Sequence, residues 1–367
     1  MRTLRMITIG LVCFFFNKGT FAQKNKIAVL AYYAGGPSQA DSFDVKKLTH
    51  MIFSFCHLKG NRLDVANIRD TVTILRLVDM KKVNPDLKVI LSLGGWGGCA
   101  TCSDVFSTEG GRKEFAESVK ELSEFFHTDG IDLDWEYPTI EGYPGHKYQP
   151  DDKKNFTSLV KQLRKTLGKH YEISFAAGGF EKYIDEAVDW KKVMKYVDRV
   201  NLMTYDLVNG YSTVTGHHTP LYSTSKQIES TDNAVNKLIK IGVAKNKLAI
   251  GAAFYGRMWE GVPDSAIGLY QQGHFKTGVS YKNFATQLSA DSGFVYHWDE
   301  KAQAPYLYNP RLKLFVTYDD KKSIELKTKY VIEKGLNGIM FWQLTEDTYT
   351  DGLLDEIDKV RSTYAIK

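Results

Sequence analysis

The sequence predicts an α/β fold, a TIM (β/α)8 barrel with a small α+β insertion domain between strands 7 and 8. Three observations carry that prediction. From Lys26 onward, apolar strand-like runs alternate with amphipathic helical stretches, the pattern of parallel βα units. Eight such runs are present, enough to close a barrel, and a barrel of about 250 residues with one addition fits the 367-residue chain. About eighty residues then part the seventh run from the eighth, far more than a barrel loop holds.

In residues 1–22, Arg2 and Arg5 precede an apolar run at 6–16, and Thr20-Phe21-Ala22 follows. Basic, then apolar, then small residues is the order of a secretory signal peptide, and the run is too short to span a bilayer. Cleavage after Ala22 would give a soluble chain, secreted to the medium or to a periplasm. The barrel is expected from residues 23–259 and 318–367, with strands at 26–33, 50–56, 87–93, 130–135, 171–177, 199–205, 247–254 and 338–342. Helical patterns fall between them at 67–83, 109–126, 153–167, 189–197 and 232–241, and near the end at 319–333 and 351–361. The insertion, at 260–317, shows a helical pattern at 281–288 and extended aromatic runs at 293–298, 305–308 and 313–318.

Residues 1–22 hold Arg2, Arg5 and Lys18 and no acid. The remainder therefore keeps 45 of the 48 Lys and Arg against 43 Asp and Glu, an excess of +2. So slight an excess argues against a nucleic-acid partner. The 21 Tyr, 20 Phe and 6 Trp suit stacking on sugar faces and equally suit a large core. Of three remaining cysteines, Cys99 and Cys102 lie in GGCATC, read as a loop that opens no helix, which argues against a thioredoxin-like redox motif. Two cysteines are too few for a structural zinc site. In an oxidising compartment a local Cys99–Cys102 disulfide is expected, with Cys56 buried in its strand.

The chain is organised around residues 129–138, DGIDLDWEYP, where Asp132, Asp134 and Glu136 recur at every second position. That is the period of a strand. At about 3.3 Å per residue with alternate side chains on opposite faces, the carboxyls form one column with neighbours roughly 6–7 Å apart. If buried, they cannot all stay charged; they must share protons or meet a cationic ligand. A barrel places its site where the strands end. Those ends carry Tyr32, Phe55, SLGGW with Trp96, the acids, Met203-Thr204-Tyr205-Asp206, Phe254-Tyr255-Gly256-Arg257 and Met340-Phe341-Trp342.

DGIDLDWEYP matches DxxDxDxE, the signature of glycoside hydrolase family 18, with Asp129, Asp132, Asp134 and Glu136 in place. The strand-end motifs extend the match, so the chain resembles the family's chitinases, in the subgroup whose α+β insertion walls the cleft. The resemblance implies hydrolysis of β-1,4 bonds between N-acetylglucosamine units of chitin or chito-oligosaccharides. No cofactor or metal is needed, and a monomer is expected. Glu136, nearest the open end, is the general acid/base, its pKa raised by partial burial and by Asp134. Neighbouring acids on one strand lie on one side of the sugar and cannot serve as both acid and nucleophile; no second carboxyl is expected across the sugar.

The family template therefore implies substrate-assisted catalysis, in which the 2-acetamido oxygen attacks its own anomeric carbon. On it, Asp134 orients the acetamido N–H, Asp132 shares a proton with Asp134, and Tyr205 donates to the acetamido oxygen. Trp342 floors the −1 sugar, Trp96 borders the aglycon side, and Tyr32, Phe55, Tyr137, Met203, Asp206, Tyr255 and Arg257 line the cleft. Tyr211 stands where some relatives place Trp. Asp129 reads as the structural start of the strand. Two other readings compete: an endo-β-N-acetylglucosaminidase on N-glycans, and a catalytically silent chitin-binding lectin, which typically replaces the acid at the position of Glu136. His217-His218 lacks the i,i+4 spacing of a helical zinc site, and Asn155-Phe156-Thr157 is a glycosylation sequon at an expected helix start.

Overall fold

A computed structural model describes residues 27–365; the expected leader at 1–22 lies outside them. Eight parallel strands form the barrel: β1 (Ala28–Tyr33), β2 (His50–Lys59), β3 (Lys88–Gly94), β4 (Gly130–Asp134), β5 (Glu172–Gly178), β6 (Arg199–Met203), β7 (Leu248–Ala253) and β8 (Gly338–Trp342). Each pairs with the next, and β1 pairs with both β8 and β2, which closes the ring. Both strand faces are buried. Val29, Met51, Val89, Leu91, Ile131 and Leu133 pack outward on the helices, while Leu30, Ile52, Ile90, Ala249 and Met340 fill the interior. Such strands read as near-continuous apolar runs, which is why all eight could be found by inspection.

The helices begin where a side chain can take an unpaired N–H. Asn67, Thr108, Ser230 and Asp320 accept from the third residue onward and start Ile68–Asp79, Glu109–Phe126, Thr231–Ile241 and Lys321–Lys334. Two of these end on left-handed Gly242 and Gly335. The helix expected at 189–197 is only Trp190–Val193, preceded by Glu181–Glu186. The Met194 and Val197 carbonyls turn instead to the Lys247 ammonium, at 3.0 and 2.6 Å. The GGCATC reading also needs correction: Cys102 opens the helix Cys102–Ser107 and is bonded to Cys99, with Cα atoms 5.2 Å apart.

The insertion is a five-stranded antiparallel sheet in the order His274–Ser280, Tyr255–Glu260, Leu314–Thr317, Ala304–Asn309, Val295–Asp299. Its first strand starts one residue after β7, so FYGR is both a strand end and the root of the wall. The helical pattern at 281–288 is a 3-10 turn, Tyr281–Asn283, running into Phe284–Gln287. Both faces of the sheet are apolar. Met258, Leu307 and Val316 form one cluster, and Trp259, Tyr306, Tyr308 and Phe315 the other. Among the described residues no helix is long and apolar enough to cross a membrane.

Candidate active site

The chain leaves β4 through Trp135, whose ring packs outward against Phe106 and Phe156, with centroids 5.5 and 6.3 Å away. Alternation thus keeps Asp132, Asp134 and Glu136 on the inner face, at 0%, 4% and 8% exposure from the interior toward the mouth. The SLGGW turn braces the middle acid. Gly95 N–H donates to the Asp134 carbonyl at 2.9 Å. Gly94 has φ 104°, and a Cβ there would stand 2.2 Å from that carbonyl oxygen, so only glycine fits.

Asp132 is held by four donors. The Tyr32 hydroxyl (2.9 Å) and Ser92 hydroxyl (3.1 Å) donate to Oδ2, and the Ser174 hydroxyl (2.5 Å) and Asn201 Nδ2 (3.0 Å) to Oδ1. Burial raises its pKa while these donors pull against the rise. The proton sharing expected between Asp132 and Asp134 has no hydrogen bond behind it among the described residues. Instead, Asp134 Oδ1 is buried with no partner. Burial first, then Glu136 and Asp132, push the Asp134 carboxyl well above the usual range. Glu136 is pushed up to about 7, mainly by burial; Tyr137 beside it opposes the rise and Asp206 adds to it. Asp134 and Glu136 thus act on each other as a pair, with Asp206 adding to the rise at Glu136.

Asp206 adopts φ 55°, a left-handed conformation that a short acid tolerates. Arg257 Nε donates to it at 2.7 Å, and His218 Nδ1 lies 3.5 Å away. Burial would raise this carboxyl, but His218 and Arg257 outweigh it and hold it below the usual range. Burial, then Asp134, keeps the Tyr205 phenol neutral. Apart from the Met340 sulfur at 4.0 Å, its hydroxyl has no acceptor among the described residues. Trp342 stacks on Phe55 at 5.5 Å and 14°. Trp96, 47% exposed, touches the rings of Tyr137, Tyr143 and Tyr211.

These groups surround a cleft of about 1210 Å³ at the C-terminal mouth of the barrel. Phe55, Trp96, Asp134, Glu136, Tyr137, Met203, Tyr205, Asp206, Tyr255, Arg257 and Trp342 line it together. Tyr32 does not: it is 1% exposed, and its hydroxyl is engaged by Asp132 and Asn201 beneath the site. Sequence reasoning missed the cage residues Ser92, Ser174 and Asn201, whose signal is a polar side chain inside an apolar strand. It also missed Phe180, and Phe275, Val279 and Ser280 on the wall.

The cleft holds more carboxyls than expected. Besides Asp206, its lining includes Glu141, Glu229 and Glu346. Glu229 accepts from the Glu181 N–H at 3.1 Å, whereas Glu346, four residues beyond Trp342, has no side-chain hydrogen bond or ion pair among the described residues. His217 faces Asp299 at 3.1 Å, and no group of three or more His, Cys, Asp or Glu among the described residues is placed to hold a metal. Asn155 of the sequon is 9% exposed, inside the helix Asp152–Leu167.

The profile described as "Glycosyl hydrolases family 18" matches residues 11–347. Chitinase A1 of Niallia circulans is 34% identical over 298 residues, which cover 75% of this chain and 42% of that protein. The chain thus spans less than half of that relative's length. Chitinase B of Serratia marcescens is 26% identical, over 86% of this chain and 76% of its own. A family 18 N-acetylglucosaminidase of Paenibacillus barengoltzii superposes with TM-score 0.83 at 38% identity, covering 91% of this chain and 99% of that one.

Proposed function

The chain belongs to glycosyl hydrolase family 18, and on that premise we propose that it cleaves β-1,4 bonds between N-acetylglucosamine units of chitin or chito-oligosaccharides, with retention of configuration. One observation carries the choice of sugar. Asp134 offers a buried oxygen without a partner, and Tyr205 a hydroxyl without a good acceptor. An acetamido group supplies the N–H and the C=O that these two need.

In the first step the acetamido oxygen bonds to the anomeric carbon as the glycosidic C–O bond breaks. The Glu136 proton passes to the departing oxygen. Asp134 then faces the positive oxazolinium ion, and Tyr205 holds the acetamido oxygen. In the second step Glu136, now a carboxylate, takes a proton from water, whose oxygen attacks the anomeric carbon and reopens the ring. Asp206 is already tied to Arg257, and burial disfavours the charged form of Glu346.

Hydrolysis of colloidal chitin by wild type and Glu136→Gln tests this, with proton NMR reading the first-formed anomer. The β-anomer from wild type and loss of turnover in the variant are expected; equal activity in both sinks the assignment. A second reading, N-acetylglucosaminidase, is favoured by the 38% identical structure of that activity, almost wholly covered by this chain. Product analysis on chitohexaose separates the two, since only the second yields monomer and pentaose as its sole first products. We also propose export, with a mature terminus at Gln23 to be read by N-terminal sequencing.

A further inference from the structure

We infer that Glu346 binds the non-reducing terminal sugar at a closed glycon end of the cleft, and so directs the enzyme to chain ends. The inference rests on the hydrolase reading above and deepens it. Glu346 ends the 3-10 turn Leu344–Glu346 and lines the cleft with Trp342 and Phe55. Its carboxyl has no hydrogen bond or ion pair among the described residues, because the nearby cations are occupied. Lys282 Nζ donates to the Thr345 carbonyl at 2.7 Å, and Arg257 is held by Asp206. Burial pushes the carboxyl up to about 7, with Lys282 and Arg257 opposing the rise and Asp206 adding to it. A half-buried acid left idle in a cleft wall is a hydrogen-bonding group waiting for a ligand.

The position of Glu346 fixes which end it meets. The leaving group departs past Glu136 toward Tyr137 and the Trp96 ring, 6.3 Å from it. Trp342 ends β8, which stands across the eight-strand ring from β4, and Glu346 follows it. Three segments pack on one another beside Glu346. Ala34 N–H reaches Gln343 Oε1 at 3.5 Å, the Phe43 and Tyr349 rings meet at 5.1 Å, and Lys282 ties the insertion to Thr345. Gly35 is so close to Thr345 that a Cβ would fall 2.5 Å from its methyl.

The chemistry gives the specificity. In β-1,4-linked chitin an internal sugar has its O4 in a glycosidic bond, with no proton to give. Only the non-reducing terminal sugar has a free 4-hydroxyl, and a carboxyl acceptor at a closed end reads that difference.

Chitohexaose labelled at its reducing end, and chitotetraose with the terminal 4-hydroxyl replaced by hydrogen, test this in wild type and Glu346→Ala. Wild type should release unlabelled mono- or disaccharide first and lose at least tenfold in kcat/KM on the 4-deoxy substrate. In Glu346→Ala the two tetraoses should become equal, with the melting temperature unchanged. Labelled fragments of every length from the first turnover, or a 4-deoxy penalty that survives in Glu346→Ala, would overturn the inference while leaving the hydrolase reading intact. No cleavage of any chito-oligosaccharide by wild type would instead remove both.

Discussion

At the N-terminal end of the barrel, Glu172 of β5 meets Arg199 Nη2 at 2.9 Å, His50 Nε2 at 3.0 Å and the Lys88 ammonium. Burial alone would raise this carboxyl, but those three partners hold it far below the usual range. At the opposite end Asp134 and Glu136 are more deeply buried and have no cation against them, and both are raised. The same chemical group in the same barrel thus becomes a fixed charge at one end and a transferable proton at the other. What differs is the company each keeps, which is how a barrel confines stability to its base and reactivity to its mouth.

Four experiments break or sharpen that contrast. The largest effect is expected from Glu136→Gln, which should lower kcat by about 10³-fold or more with the melting temperature held or raised, since an unfavourably buried acid is removed. Next is Glu172→Gln, which leaves Arg199 buried without its carboxylate. A loss of about 3 kcal/mol in denaturant unfolding is expected, with kcat/KM per folded molecule unchanged. If that variant instead lost catalysis and kept its stability, the division between the ends would fail.

The two ends should also answer pH in opposite directions. As Glu136 loses its proton above about 7, kcat/KM should fall about tenfold per pH unit. Glu172 is depressed relative to an unfolded glutamate near 4.3. Its contribution to stability is therefore complete above that value and is lost as pH falls further. Acid unfolding should become shallower in Glu172→Gln, and a pH–rate profile with no basic limb would contradict the role given to Glu136. The smallest effect is expected from Trp96→Ala, an exposed ring at the rim: a rise in KM of about threefold to tenfold on long oligosaccharides, with kcat little changed.

The acid column was legible because its signal is local: a period of two over five residues is set by the backbone alone. The eight barrel strands were legible for a related reason, each being apolar on both faces. What escaped depends on contacts distant in sequence. Tyr32 sits at a strand end like Phe55, yet Asp132, one hundred residues on, draws its hydroxyl below the cleft. The strand Tyr255–Glu260 was hidden because FYGR reads as the end of β7, and only its pairing with His274–Ser280 and Leu314–Thr317 makes it part of the wall. The helix at Cys102 is short, and Thr101 before it gives no side-chain cap that could have announced it. Glu346 carried only the weak signal of an acid just past the last strand.

The wall enters and leaves the barrel at almost the same point. Phe254 alone separates β7 from the sheet, and its N–H donates to the Trp342 carbonyl at 2.9 Å. The returning chain passes through Asp319, whose buried carboxylate accepts from the Ala253 N–H at 3.0 Å and from Lys327 Nζ at 2.7 Å. A segment stitched to its host at both ends is not a cassette. Excising it or grafting it onto another barrel would tear the strand that carries it. Variation in cleft depth among such proteins should therefore arise at the far hairpin tips, and a calorimetric scan should show wall and barrel melting in one peak.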